Sequence, residues 1–180
     1  MAYTFDEYKA GMLQIANTDA GVTMANGTSA IPTPPTVLGM VCRAFDPTYG
    51  EGEFILLLGV ASTVIGNVVT YSPTTYQTAL SPNTANLSQP VAVAMSACTA
   101  GLFGWYQIGG LAVVKKTAVK VDPAGTRRMY QSATTGRLMQ TSAAGKNILG
   151  LASSNLTTVT STTSTVVCSL DRPHYQGPIT

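Results

Sequence analysis

The residues that could do chemistry are few and scattered. The single histidine, His174, stands in Asp171-Arg-Pro-His-Tyr175 with Ser169 just before it, so the side chains of a hydrolytic triad are present. A triad is a spatial arrangement completed by an oxyanion hole, and residues this close on one extended segment do not converge on a common substrate atom. Glu51 and Glu53 are the one pair of acids spaced to share a strand face, where two carboxylates could divide acid and base roles. Beside a turn, the plainer reading of that pair is solvation. Gly145-Lys146 lacks the upstream glycine and the following Ser or Thr of a phosphate loop, and no Gly-x-Gly-x-x-Gly occurs. Cys42, Cys98 and Cys168 are odd in number and widely spaced, which fits neither a disulfide framework nor a zinc site. The expectation is therefore buried thiols, with no catalytic residue, no cofactor and no metal assigned.

The frame that would position these residues reads as strands. In 180 residues only 10% are charged, against about 25% in an ordinary soluble domain. Thr, Ser, Asn and Gln carry the polarity, with 17 Gly and 10 Pro, a composition suited to strands joined by turns. The most apolar stretch, Gln89 to Lys116, holds the only tryptophan, Trp105, between Phe103 and Tyr106. Val91, Val93 and Met95 alternate with Ala92, Ala94 and Ser96 at the period of a strand. Phe103, Trp105 and Gln107 then share one face, with Gly104, Tyr106 and Ile108 on the other, and Gly109-Gly110 demands a turn, bulge or sharp bend. Further strands are predicted over 53–61, 64–71, 76–80, 113–121, 128–132, 137–141, 147–152 and 157–170, with turns at Asp46-Pro-Thr-Tyr-Gly50, Ser72-Pro-Thr-Thr75, Asp122-Pro-Ala-Gly125 and Thr134-Thr-Gly136. The stretches beginning at Asn67 and Arg128 repeat loosely, each a hairpin followed by a small-residue strand, Pro90 to Ser96 and Asn147 to Ser153. Two such hairpins could pair around the Trp105 strand into one closed or nearly closed barrel without sticky edges.

At the N-terminus, Thr4-Phe-Asp-Glu7 has the form of a capping box, and a helix over 5–16 would place Phe5, Tyr8, Met12 and Ile15 on one side. So short a helix must dock on something, be it its own domain, a sister subunit or another protein. Residues 17–36, ending Ala30-Ile-Pro-Thr-Pro-Pro-Thr36, read as an extended arm or spacer. The whole is an all-β fold: a compact β-barrel or sandwich-like domain over 37–172, a short N-terminal helix and extended arm over 1–36, and a C-terminal tail over 173–180.

The net charge of +2, with basic residues paired only at Lys115-Lys116 and Arg127-Arg128, argues against nucleic acid. The longest apolar runs fall far short of the ~20 residues of a membrane helix. Acids precede any apolar run at the N-terminus, so no secretory signal is expected and folding in a cytoplasm is.

Several segments together resemble a known group. Asp46 to Phe54, Gly59-Val-Ala61, Val68-Val-Thr-Tyr71, Pro90 to Ala97, Gly104-Trp-Tyr-Gln-Ile108 and Asp171-Arg-Pro-His174 are similar to stretches of small virion proteins of tailed bacteriophages, and to capsid decoration (head cement) proteins in particular. The resemblance implies a non-enzymatic structural protein, made in the host cytoplasm and bound on the outer capsid surface as a trimer or dimer. It would bridge adjacent subunits of the major capsid protein. Residues 1–50 exceed a minimal decoration domain, so Phe5, Tyr8, Met12 and Ile15 on the helix and Ile31, Pro32, Pro34 and Pro35 in the arm become the candidate capsid or subunit contacts. A tail or host-adhesion module binding surface carbohydrate is the rival reading, and it would need Trp105 or Tyr106 exposed for stacking on sugars.

Overall fold

A computed structural model describes residues 1–6, 12–21 and 33–178. Among them are twelve strands and no helix: β1 (Thr4–Phe5), β2 (Thr18–Asp19), β3 (Val41–Asp46), β4 (Gly50–Leu58), β5 (Val68–Tyr71), β6 (Thr78–Leu80), β7 (Val91–Ala94), β8 (Phe103–Lys115), β9 (Arg128–Gln131), β10 (Leu138–Met139), β11 (Asn147–Ser153) and β12 (Thr165–Tyr175). Their pairings are all antiparallel. The main path runs β1-β3-β4-β8-β12-β11-β9-β10, with β2 and β7 also on β8, and β5 joining β6 to β7. The path does not close into the expected barrel; an isolated parallel bridge between Lys116 and Leu138 brings its far end only to the residue after β8.

The reason lies in β8. A barrel stave has one face inside and one outside, but β8 is buried on both faces from Phe103 to Gln107. Trp105 packs with Phe54, Leu56, Met95 and Tyr3 on one side, while Tyr106 and Ile108 pack with Ile55, Leu57 and Ala94 on the other. A run apolar on both faces marks a strand between two layers rather than at a surface. Strand β7 is a second such wall: Ala92 and Ala94 face the Tyr106 core, Val91 and Val93 a third core built from Val114, Met129, Leu138, Ile148, Val166 and Tyr175. Three cores are thus stacked between two shared walls.

The loose repeat is a structural one. In the first unit β5 pairs with both β6 and β7; in the second β9 pairs with both β10 and β11. The units touch where the second hairpin's turn meets β5: Val68 N–H donates to Gly136 O at 2.9 Å, Gly136 N–H to Ser81 O at 2.9 Å.

The expected N-terminal helix is not seen. At its start Thr4–Phe5 pairs with Phe45 and Ala44, and at its end Ile15-Ala16 forms a turn before β2. A β-branched Thr beside Phe suits a strand as well as a cap, and the open edge of β3 offers a ladder that an isolated helix lacks.

Candidate interaction surface

Asp46 organises the outer end of the sheet. Its Oδ1 accepts from the N–H groups of Thr48 and Tyr49, at 2.8 and 3.1 Å, which tightens the expected turn into β4, with Gly50 at φ +74°. Its Oδ2 accepts the Ala2 N–H, so the same carboxylate holds the N-terminus against the sheet. Burial opposes ionisation here, but these three donors outweigh it and keep the carboxyl below its ordinary range. Tyr3 consequently packs edge-on against Phe54 at 4.8 Å, and Phe5 against Trp105 at 5.6 Å.

Next to this end the sheet bends. Strand β8 runs through Gly109-Gly110 as one strand, with a register shift opposite Glu53 and Phe54. Gly110 has φ +85°, and a Cβ on it would stand 2.3 Å from Glu51 O, so no side chain fits. Gln107, fully buried, holds the bulge: its Nε2 donates to Gly109 O and Leu111 O at 2.9 Å each, and to the Tyr3 hydroxyl at 3.3 Å. Strand β12 is distorted at the same place. Gly150 of β11 faces Asp171 and Pro173 across a register shift, and Arg172 takes φ +41°. A non-glycine residue there is strained, and what the strain achieves is direction: Arg172 Nε meets Glu53 Oε2 at 3.2 Å across the glycines. Arg43 of β3 completes the group, with Glu51 at 3.2 Å and Glu53 at 3.5 Å. The result is a glycine-floored groove of about 370 Å³ in which Arg43, Glu51, Glu53 and Arg172 are paired with one another.

Beside it the outer face of β3 presents Val41, Arg43 and Phe45, while Ala44 and Asp46 point inward. Phe45 is 50% exposed, and Val37, before the strand, 76%.

The residues singled out from sequence fall as follows. Met12 and Ile15 are buried with Trp105 in the chain's own core, and Phe5 is partly buried against it. Pro34 and Pro35 are half-buried; Tyr8, Ile31 and Pro32 lie outside the described residues. Trp105 and Tyr106 are both 0% exposed, and Trp105 Nε1 donates to Leu13 O at 2.7 Å, so neither ring offers a stacking platform. Ser169, Asp171 and His174 make no hydrogen bond to one another: Ser169 Oγ reaches Ala152 O, and His174 Nδ1 lies 3.4 Å from Arg172 O. Glu51 and Glu53 are bound up in ion pairs with Arg43 and Arg172. Cys98 and Cys168 are buried and Cys42 is half-buried; all three are free, and burial pushes the Cys42 and Cys168 thiols up to about 12. Among the described residues no group of three or more His, Cys, Asp or Glu side chains could hold a metal ion, and no helix is long and apolar enough to cross a membrane.

Sequence reasoning missed Asp46 as the N-terminal anchor, Gln107 as the brace of the bulge and Arg43 as the centre of the charge group. A polar residue at an inward strand position was the available signal for the first two. No family model, curated protein or solved structure matches this chain.

Proposed function

We propose that this is a non-enzymatic structural virion protein that binds the outer surface of a phage capsid and stabilises it by bridging adjacent major capsid protein subunits, as a trimer or dimer. The observation that carries the reading is the outer face of β3, where Phe45 and Val41 stand exposed around an arginine whose charge is already met by Glu51 and Glu53. Aromatic and arginine side chains with little net charge are what the centre of a protein interface uses. A surface that has neutralised its own charges also docks without requiring a matching charge on its partner. The contact would bury on the order of 1,000 Å² or more, and repetition over a shell would sum to a large resistance to internal pressure. This reading moves the contact from Met12 and Ile15, which the core occupies, to Val41 and Phe45. Burial of Trp105 and Tyr106 removes the support for carbohydrate stacking.

The test is co-sedimentation with expanded capsids that lack the protein, read together with the temperature at which they release DNA. Saturable binding and a higher release temperature are expected. The exposed-site variant Phe45→Ser should bind at least about tenfold more weakly while melting near the parent temperature. Absence of binding by the parent protein would sink the function; full binding by Phe45→Ser would sink the surface.

A further inference from the structure

Lys116, one residue beyond β8, is 1% exposed. Its ammonium nitrogen donates to Val119 O and Thr160 O at 2.9 Å each and approaches Thr117 O at 3.4 Å. Among the described residues no carboxylate pairs with it. The charged group that contacts it is another cation, Arg137, whose Nη1 donates to Lys116 O at 3.4 Å. A buried ammonium without a counter-ion is costly, and three main-chain carbonyls are a poorer substitute than a carboxylate. What the arrangement achieves is linkage, because one atom joins two loops far apart in the chain.

Both loops close the end of the third core. Val121 is wholly buried in that core though it lies outside any strand, and it exchanges hydrogen bonds with Val159 at 2.9 Å in both directions. Lys116 N–H donates to Ser164 O and Thr117 N–H to Leu138 O, both at 2.9 Å, the latter at the seam where the sheet fails to close. We propose that residues 116–122 and 154–164 form a strap over this end of the molecule, that the Lys116 side chain is its latch, and that the strap opens as a unit while the rest of the sheet stays folded. Opening withdraws Val121 and uncovers Leu138 and Val166. The latch acts through its donors: any residue that cannot donate leaves the Val119 and Thr160 carbonyls without the bonds that join the two loops.

Amide hydrogen exchange on Lys116→Met tests this. The amides of Thr117, Val121 and Val159 should exchange at least about tenfold faster than in the parent, with those of Leu56 and Ala94 unchanged. Unchanged strap amides, or equal acceleration throughout, would overturn the proposal. A second measurement needs only the parent protein: acylation by an amine-reactive ester, followed by mass mapping, at low urea concentrations. Lys116 should label far more slowly than Lys120, at a rate nearly independent of urea, as local opening requires. Labelling as fast as Lys120, or a rate rising with the full urea dependence of unfolding, would each refute a separately opening strap.

Discussion

Gln107 shows how much one polar side chain can determine. It sits where the sheet bends, and its amide donates to Gly109 O and to Leu111 O, the second carbonyl shared with the Tyr3 hydroxyl at 2.7 Å. Gln107→Leu keeps the volume and removes the donors, so a loss of about 1–3 kcal/mol is expected in urea unfolding, with the slope unchanged. The buried titratable groups give a pH prediction. Burial raises the three thiols, with Cys42 and Cys168 at about 12, and it raises Tyr3, Tyr71, Tyr106 and Tyr175, the last to about 12. In the unfolded chain thiols ionise near ~8.5 and phenols near ~10, so the unfolded state loses protons first and stability falls as pH rises from ~8.5 toward 12. Lys116 works the other way, since burial lowers its folded value and its contribution improves as pH rises toward the unfolded ~10.4. One amine against three thiols and four phenols leaves a net loss, to be read as a urea midpoint that drops between pH 8 and pH 10.5; a level profile would contradict the burial of the thiols. These roles were hard to see in the chain because their partners are distant: Asp46 meets Ala2 and Lys116 meets Thr160, each 44 residues away. Trp105 was easier, as the largest side chain in the most apolar run has few places to go but inside.

At the level of elements, spacing identified the buried residues before it identified the structure that buries them. Phe5, Met12 and Ile15 do share one cluster, as their intervals of seven and three suggested, yet no helix is seen over their described parts. Apolar spacing reports which side chains need cover, and a two-residue strand with an irregular segment provides it here as well as a helix would. The described residues before the predicted arm, among them Tyr3, Met12 and Ile15, are consequently part of the body. Deleting residues 1–36 removes Tyr3, Met12 and Ile15 from Trp105; at about 1.5–3 kcal/mol for each buried side chain, several kcal/mol of stability should go with them. Trp105 emission should shift to the red in that variant, and an unshifted spectrum would show the cover to be dispensable. The repeat was legible for the opposite reason, being local: each hairpin and its third strand lie within some 30 residues, from Asn67 to Ser96 or Arg128 to Ser153. The shared wall was not, because the sequence shows that Val91 to Ala94 is apolar on both faces but not which core each face meets.

For the whole molecule, the shared walls β4–β8 and β5–β7 tie the three cores together, since no core can be dismantled without exposing a face of its neighbour. Melting followed by Trp105 emission, which watches the first core, and by far-ultraviolet dichroism, which watches the sheet, should coincide; separated midpoints would mean independent units. Strands β4 and β8 pair across about fifty residues and β8 and β12 across a similar span, so folding is expected on the slow, millisecond-to-second scale of non-local sheets. The bend at Gly109 and Gly110 has a bearing on shape. On either side of it β8 is wedged between side chains, but at these two positions the strand has none, and Glu53 and Arg172 close over it only from the surface. Curvature is therefore concentrated at one point along the longest strand, where the backbone, braced by the Gln107 amide, resists flexing. On the rounded shell proposed above the fit would be adjusted there, and Gly109→Ala would stiffen that point while pressing on Glu53, whose Cβ lies 3.1 Å from where the added methyl would stand.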